Sequence, residues 1–232
     1  TFNHSIVVGN LAEACAKSIG AHSLLCRVGA YYHDIGKMAK SEYFIENQYG
    51  GKNKHDDITH TMSARIIRAH VNEGLKLAQE HGLPRLVSDF IPMHHGTTRV
   101  EYFYRMALKE AEQKGTKVDE SAFRYPGPKP MTRESGILML GDSVEAATRA
   151  LDDPRPTELR ERVGKIIAEK MTVGQLSDCP LTIADLTRIE ESFVRVLVMG
   201  VYHSRIEYPA TNLRQTDKGD ERNDKDKNGD QN

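Results

Sequence analysis

Seven side chains of this sequence are suited to metal ligation, in the order His4, the adjacent pair His33-Asp34, His70, the doublet His94-His95, and Asp142. Imidazole nitrogens and carboxylate oxygens are protein donors for divalent transition metals, and adjacent His and Asp place one of each within reach of a single point. Seven donors exceed the roughly three or four protein ligands of a single catalytic zinc. They fit two octahedral ions about 3.5–4 Å apart. With Asp34 bridging and the other six binding one ion each, eight of about twelve coordination positions are filled. A bridging hydroxide takes two more, and one open position per ion remains for the two non-bridging oxygens of a phosphodiester. Two divalent ions offset by Asp34, Asp142 and a hydroxide leave about +1, which suits a singly charged diester and the extra charge of its transition state.

The elements that must position these donors read as helices. Ile6, Val7, Leu11, Ala14 and Ile19 predict a helix over 6–19, with His4 at its start and Gly20 as its stop. Leu24, Leu25, Val28 and Ala30 predict a second, which delivers Tyr31 through Asp34 at its end before Gly36 breaks it. A long helix over 61–81 carries His70 on its apolar side, and Pro84 opens another whose Leu86, Val87, Phe90 and Ile91 lead to His94-His95-Gly96. A helix over 99–114 includes Tyr102, Phe103 and Tyr104, and Thr132 caps a helix whose stripe Ile137, Leu138, Leu140, Val144 and Ala147 encloses Asp142. Further helices are expected over 157–171 and after a Thr182-to-Asp185 capping box. There is no repeat and no strand pattern, so the class is all-α. Lone histidines on apolar helix faces are ordinarily satisfied core residues. Six or seven donors converging without partners would each lose about 1–3 kcal/mol, a cost that a metal cluster removes.

Between these helices, 46–57 is polar and glycine-rich and reads as a loop, and 115–131 is a proline-rich linker that serves as a lid or a plain connection. Beyond Pro209 there is almost no apolar residue, so 1–209 is the domain and 210–232 a disordered charged tail. Lys+Arg 32 against Asp+Glu 33 leaves a net charge of −1, which argues against a nucleic-acid polymer as partner. Cys15, Cys26 and Cys179 are an odd number without metal-type pairing and read as reduced, small apolar residues. No run approaches the roughly 18 apolar residues of a membrane helix. The start at Thr1 with a candidate ligand already at His4 reads as part of something longer.

The order His, His-Asp, His, His-His, Asp resembles the HD-domain metallophosphohydrolase superfamily in its dinuclear form. Gly29-Ala30-Tyr31-Tyr32-His33-Asp34-Ile35-Gly36-Lys37, Tyr43-Phe44-Ile45-Glu46-Asn47-Gln48 and His94-His95-Gly96-Thr97-Thr98 with Tyr102-Phe103-Tyr104 resemble, more narrowly, the cytoplasmic HD domain of seven-transmembrane HD receptors, the PgpH-type cyclic di-AMP phosphodiesterases. The resemblance implies an HD-domain helical bundle, iron or manganese at the dinuclear site, and cleavage of cyclic di-AMP to linear pApA by attack of a metal-bridging hydroxide. It also implies a membrane-embedded part ahead of this domain. The cyclic di-GMP branch carries a Glu and a Gly-Tyr-Pro motif after its His-His doublet, which this sequence lacks. Asp34 and Lys37 are the expected catalytic residues, Lys37 adding positive charge near the phosphate. Tyr31, Tyr32, Thr98, Arg99, Tyr102 and Tyr104 are candidate substrate contacts, with helix packing as the competing role for most of them. Hydrolysis of another nucleotide and binding of a cyclic dinucleotide without cleavage are the alternatives.

Overall fold

The computed structural model describes residues 1–48, 53–151 and 154–203, apart from the side chains of 201–203. The predicted tail over 210–232 and the domain boundary at 209 lie outside them. The described chain is helical throughout, its sole strand-like feature being an isolated antiparallel bridge between Arg99 and Arg124. No helix among the described residues is long and apolar enough to cross a membrane.

The core is organised around one helix, α7 (Arg133–Arg149), in which Gly136, Ile137, Leu138, Met139, Leu140 and Gly141 are all buried. A helix apolar on every side belongs in the middle of a bundle. Three helices surround it: α1 (Phe2–Ser18), α8 (Pro156–Thr172) and α9 (Ile183–His203), packing Val8, Leu11, Val163, Ile189 and Phe193 against it. Full burial of each such side chain is worth about 1.5–3 kcal/mol. The expected caps are present: the Thr132 hydroxyl accepts from Ser135 N at 3.1 Å, and Thr182 and Asp185 satisfy each other reciprocally at 3.0 and 3.1 Å. Gly20, with φ +66, ends α1.

Against this bundle leans α2 (Ser23–Tyr32), which delivers His33 as its C-cap and then a 3-10 stretch, Ile35–Tyr43. Gly36 does not act here as a left-handed helix breaker. A Cβ on it would lie 1.8 Å from the His70 carbonyl oxygen and 2.4 Å from Gly74 N. Both residues belong to α3 (His60–Glu80), so glycine is needed for close approach, and that approach sets Asp34 beside His70. The predicted helix after Pro84 is two short ones, α4 (Arg85–Ser88) and α5 (Phe90–Met93), with Pro84 as N-cap. Pro92 explains the break: it has no N–H for the Ser88 carbonyl, and its ring crowds that oxygen. Asp89 keeps helical φ and ψ, and His94 still follows α5 as its C-cap.

The proline-rich linker after α6 (Glu101–Lys114) is not a free lid. Val100 N donates to Phe123 O at 2.8 Å and Tyr125 N to Thr98 O at 2.9 Å, and both aromatic side chains are buried. Of the polar loop, 3-10 turns form at Ile45–Asn47 and Lys54–Asp57, while 49–52 lie outside the described residues.

The three cysteines are free and buried, as expected. Burial pushes the Cys15 thiol up to about 12 and that of Cys179 to about 11. Native protein should therefore react negligibly with a thiol reagent at pH 8, and all three thiols should react in denaturant. A rapidly reacting thiol in the native protein would contradict this packing.

Candidate metal centre

All seven donors converge. They form two groups, Asp34 with His70, His94 and His95, and His4 with His33 and Asp142, each with its ligand atoms within 4.8 Å of one another. Asp34 stands between the groups. Its Oδ1 faces His70 Nε2 at 3.5 Å and His94 Nε2 at 3.6 Å, whereas Oδ2 faces His33 Nε2 at 3.2 Å and His4 Nε2 at 3.6 Å. Asp142 Oδ1 is 3.1 Å from His4 Nε2, and its Oδ2 is 3.9 Å from His95 Nδ1.

The imidazoles are oriented by a repeated local device. His33, His70 and His94 each direct Nδ1 to the carbonyl three residues back, on Ala30 at 2.7 Å, Ile67 at 2.6 Å and Ile91 at 2.7 Å. An Nδ1–H donated this way leaves Nε2 as a lone pair pointing into the centre. His4 points Nδ1 at Glu145 Oε2, 2.6 Å away. The Nε2 atoms of His4 and His33 and the Oδ1 of Asp34 are buried without a hydrogen bond among the described residues. Such unsatisfied groups are costly unless something binds them.

The electrostatics favour a cation. Burial, reinforced by His94, drives the His70 imidazole down to about 3 and holds His95 well below its ordinary range, so both present neutral rings. At His4 burial works downward, but hydrogen bonds to Asp142 and Glu145 reverse it and raise the ring to about 9. Burial would raise Asp34, yet His33 and Lys37 overcome it and keep the carboxyl well below the usual carboxylate range. The neutral rings of His70 and His95 beside ionised carboxylates suit a divalent cation, and at His4 such an ion would replace the proton that Asp142 and Glu145 hold, so the residues present fit that group.

Lys37 turns back toward Asp34, beside the centre. Its Nζ lies 2.7 Å from Asp34 Oδ2 and 2.7 Å from Glu46 Oε1, so its charge is committed to two carboxylates and orients Asp34. Of the candidate substrate contacts, Thr98 and Arg99 line a cleft of about 380 Å³ that opens at His95 and Asp142. Arg99 is ion-paired there with Glu101 at 3.1 Å and Glu120 at 3.4 Å. Tyr31, Tyr32, Tyr102 and Tyr104 line neither this cleft nor a second, of about 790 Å³, that opens at His4. Tyr31 accepts from Arg27 at 3.1 Å, Tyr102 is two-thirds exposed, and Tyr104 packs on Phe123 under Arg99. His22 caps α2, His55 bonds the Tyr43 carbonyl at 2.8 Å, and His60 sits 3.7 Å from Glu110, all outside the donor groups.

Three supporting residues escaped the sequence reading. Glu145 had a legible signal, since it lies three positions after Asp142 on the same helix face. Tyr125 had none: it comes from the linker, yet its ring stacks on His95 at 4.2 Å. Gln175 accepts from Thr97 N at 2.9 Å, and a Cβ on the adjacent Gly96 would fall 2.5 Å from its Oε1, so it clamps the turn that follows the His doublet. Replacing Glu145 with Gln should weaken metal binding at the His4 group about 10–100-fold, the usual scale for a partner that orients a ligand. Chelator competition reads this directly, and an unchanged affinity would show that Glu145 does not orient His4.

The family described as HD domain matches residues 1–147. The chain is 42% identical over 209 residues to the cyclic-di-AMP phosphodiesterase PgpH of Bacillus subtilis, covering 90% of this chain and 29% of that protein. It is 43% identical over 209 residues to PgpH of Listeria monocytogenes, covering 90% and 28%. The chain thus spans less than a third of the length of these relatives. The crystal structure of the Listeria monocytogenes PgpH HD domain in complex with cyclic-di-AMP aligns with a TM-score of 0.80 at 41% identity, covering 85% of this chain and 91% of that one.

Proposed function

The chain belongs to the HD domain family, and from that premise we propose that it hydrolyses cyclic di-AMP to linear pApA, using two iron or manganese ions held by His4, His33, Asp34, His70, His94, His95 and Asp142. The observation that carries this reading is the division of Asp34, with Oδ1 3.5 Å from His70 and Oδ2 3.2 Å from His33. One carboxylate turned toward two donor groups is the arrangement of a bridge. When bound, a pair of divalent ions supplies a hydroxide nucleophile at neutral pH and Lewis-acid binding of the phosphoryl oxygens.

The chain's own residues do the rest. Asp34 keeps the two donor groups at a set separation, and Lys37 and Glu46 keep Asp34 in place. The carbonyl-anchored rings of His33, His70 and His94 are oriented before any ligand arrives, which lowers the reorganisation cost. Tyr125 covers one face of His95 and excludes water from it. The clefts at His4 and at His95 share Ala146 in their walls, so the centre has room on both sides. A cyclic dinucleotide, with a nucleoside on either side of each phosphodiester, suits that arrangement. The names of the relatives support the adenine form, and the resemblance of the motifs around His33-Asp34 and His94-His95 to those of seven-transmembrane HD receptors supports a place for this domain on the cytoplasmic side of a larger membrane protein.

Elemental analysis of purified protein, together with product formation from cyclic di-AMP and cyclic di-GMP, tests the reading. The expected result is about two iron or manganese atoms per chain and pApA in preference to the guanine product. Two metals without turnover would reject catalysis in favour of a binding module. One metal or none would reject the ligand set.

A further inference from the structure

A cyclic dinucleotide holds two phosphodiesters in one ring. When one is presented to the metal centre, the other remains as a negative charge that the carboxylates lining the cleft at His95 (Glu101, Asp142 and Glu169) would repel. Some cation outside the centre must face it. The cleft at His95 and Asp142 is lined by three basic residues, Arg99, Arg124 and Lys170. Arg99 is paired with Glu101 and Glu120, and Arg124 with Glu120. In the opposite cleft Arg149 stands 3.6 Å from Glu145, and Lys37 is enclosed between Asp34 and Glu46.

Lys170 differs from all of these. It sits in the last turn of α8, is half-buried, and has neither a hydrogen bond nor an ion pair among the described residues. The carboxylates nearest it are otherwise placed: Asp142 is engaged by His4, and Glu169 is exposed. Burial lowers the Lys170 pKa, and the attraction of Asp142 and Glu169 works against that shift. A lysine at a helix C-terminus gains from the helix dipole, which accounts for a basic residue in this turn but not for one lining the cleft. A half-desolvated ammonium that has neither a hydrogen bond nor an ion pair among the described residues is poised for an anionic ligand.

We propose that Lys170 binds the phosphodiester that is not being cleaved, so that the cleft between α7 and α8 selects ligands carrying a second phosphate. This rests on the reading of the substrate as a cyclic dinucleotide. Lys170 makes no contact with the metal donors and takes no part in the bond cleavage. Its contribution is to affinity and to the choice of which phosphate faces the metals.

Calorimetric titration of metal-loaded protein with pApA and with AMP separates the two contributions, since pApA carries the second phosphate and AMP does not. Lys170→Met should weaken pApA binding about tenfold or more beyond any effect on AMP, the scale of one charge-assisted hydrogen bond. Lys170→Arg should restore most of the loss. Equal effects on the two ligands, or wild-type affinity for pApA in Lys170→Met, would overturn the assignment while leaving the proposed function standing. Wild-type protein that binds AMP as tightly as pApA would instead remove the dinucleotide reading, and the assignment with it.

Discussion

Asp34→Ala is expected to lose turnover to below about a thousandth of wild type, the scale seen when one member of a cooperating catalytic set is removed, and to carry one metal ion or fewer per chain. Asp34 is the residue whose two oxygens address different donor groups, 3.5 Å from His70 on one side and 3.2 Å from His33 on the other. Its removal takes a donor from each group at once and frees Lys37 from one of its two carboxylates. Asp142→Ala is the informative comparison, because Oδ1 of Asp142 lies 3.1 Å from His4 while its other oxygen stays 3.9 Å from His95. It should deplete the His4 group and leave the His70, His94 and His95 group substantially loaded. Elemental analysis and turnover on the same preparations decide the matter: full activity or unaltered metal content in Asp34→Ala would sink the bridging role.

Gly36→Ala should damage both stability and the metal centre, although it changes neither a ligand nor a polar group. The added methyl would lie 1.8 Å from the His70 carbonyl oxygen and 2.4 Å from Gly74 N, both backbone atoms that no rotamer change can clear. Either α3 moves away or the 3-10 stretch shifts, and overpacking of this kind costs about 1–3 kcal/mol, occasionally more. The movement separates Asp34 from His70, so metal at the His70 group should fall along with the urea midpoint. Gly20→Ala is the control. With φ +66 and nothing within 4 Å of an added Cβ, it should cost only about 1 kcal/mol of backbone strain and leave metal content unchanged. Equal urea midpoints for Gly36→Ala and wild type would show that the approach of α3 is looser than this packing requires.

Local pattern carried a large part of this protein. The all-α class, the long helix bearing His70, the Thr132 and Thr182 caps and the seven convergent donors were all legible, because caps and helical periodicity depend on residues within a few positions of one another. The donors could be singled out for a related reason: all except His4 lie on or at the end of a helix with an apolar face, where an unpaired polar group would be costly. Position in three dimensions was less accessible. The tyrosines near the ligands in sequence line neither cleft, and the pairing of Lys37 with Glu46 as well as Asp34 is not written in the turn that carries it. Proximity along the chain does not specify which way a side chain leaves its helix.

Residue type and order alone therefore established which groups could hold metal and that helices would carry them. Only tertiary packing decided which donors share a group, that Asp34 divides its oxygens between them, and that Glu145, Tyr125 and Gln175 hold the ligands in place. The reason is that these relations join α1 to α7 and the segment after α8 to the turn after His95, across separations of 141 residues for His4 and Glu145 and 78 for Thr97 and Gln175. Contacts over such distances follow from how the helices rotate and how closely glycines such as Gly36 let them approach, and no local period records either quantity.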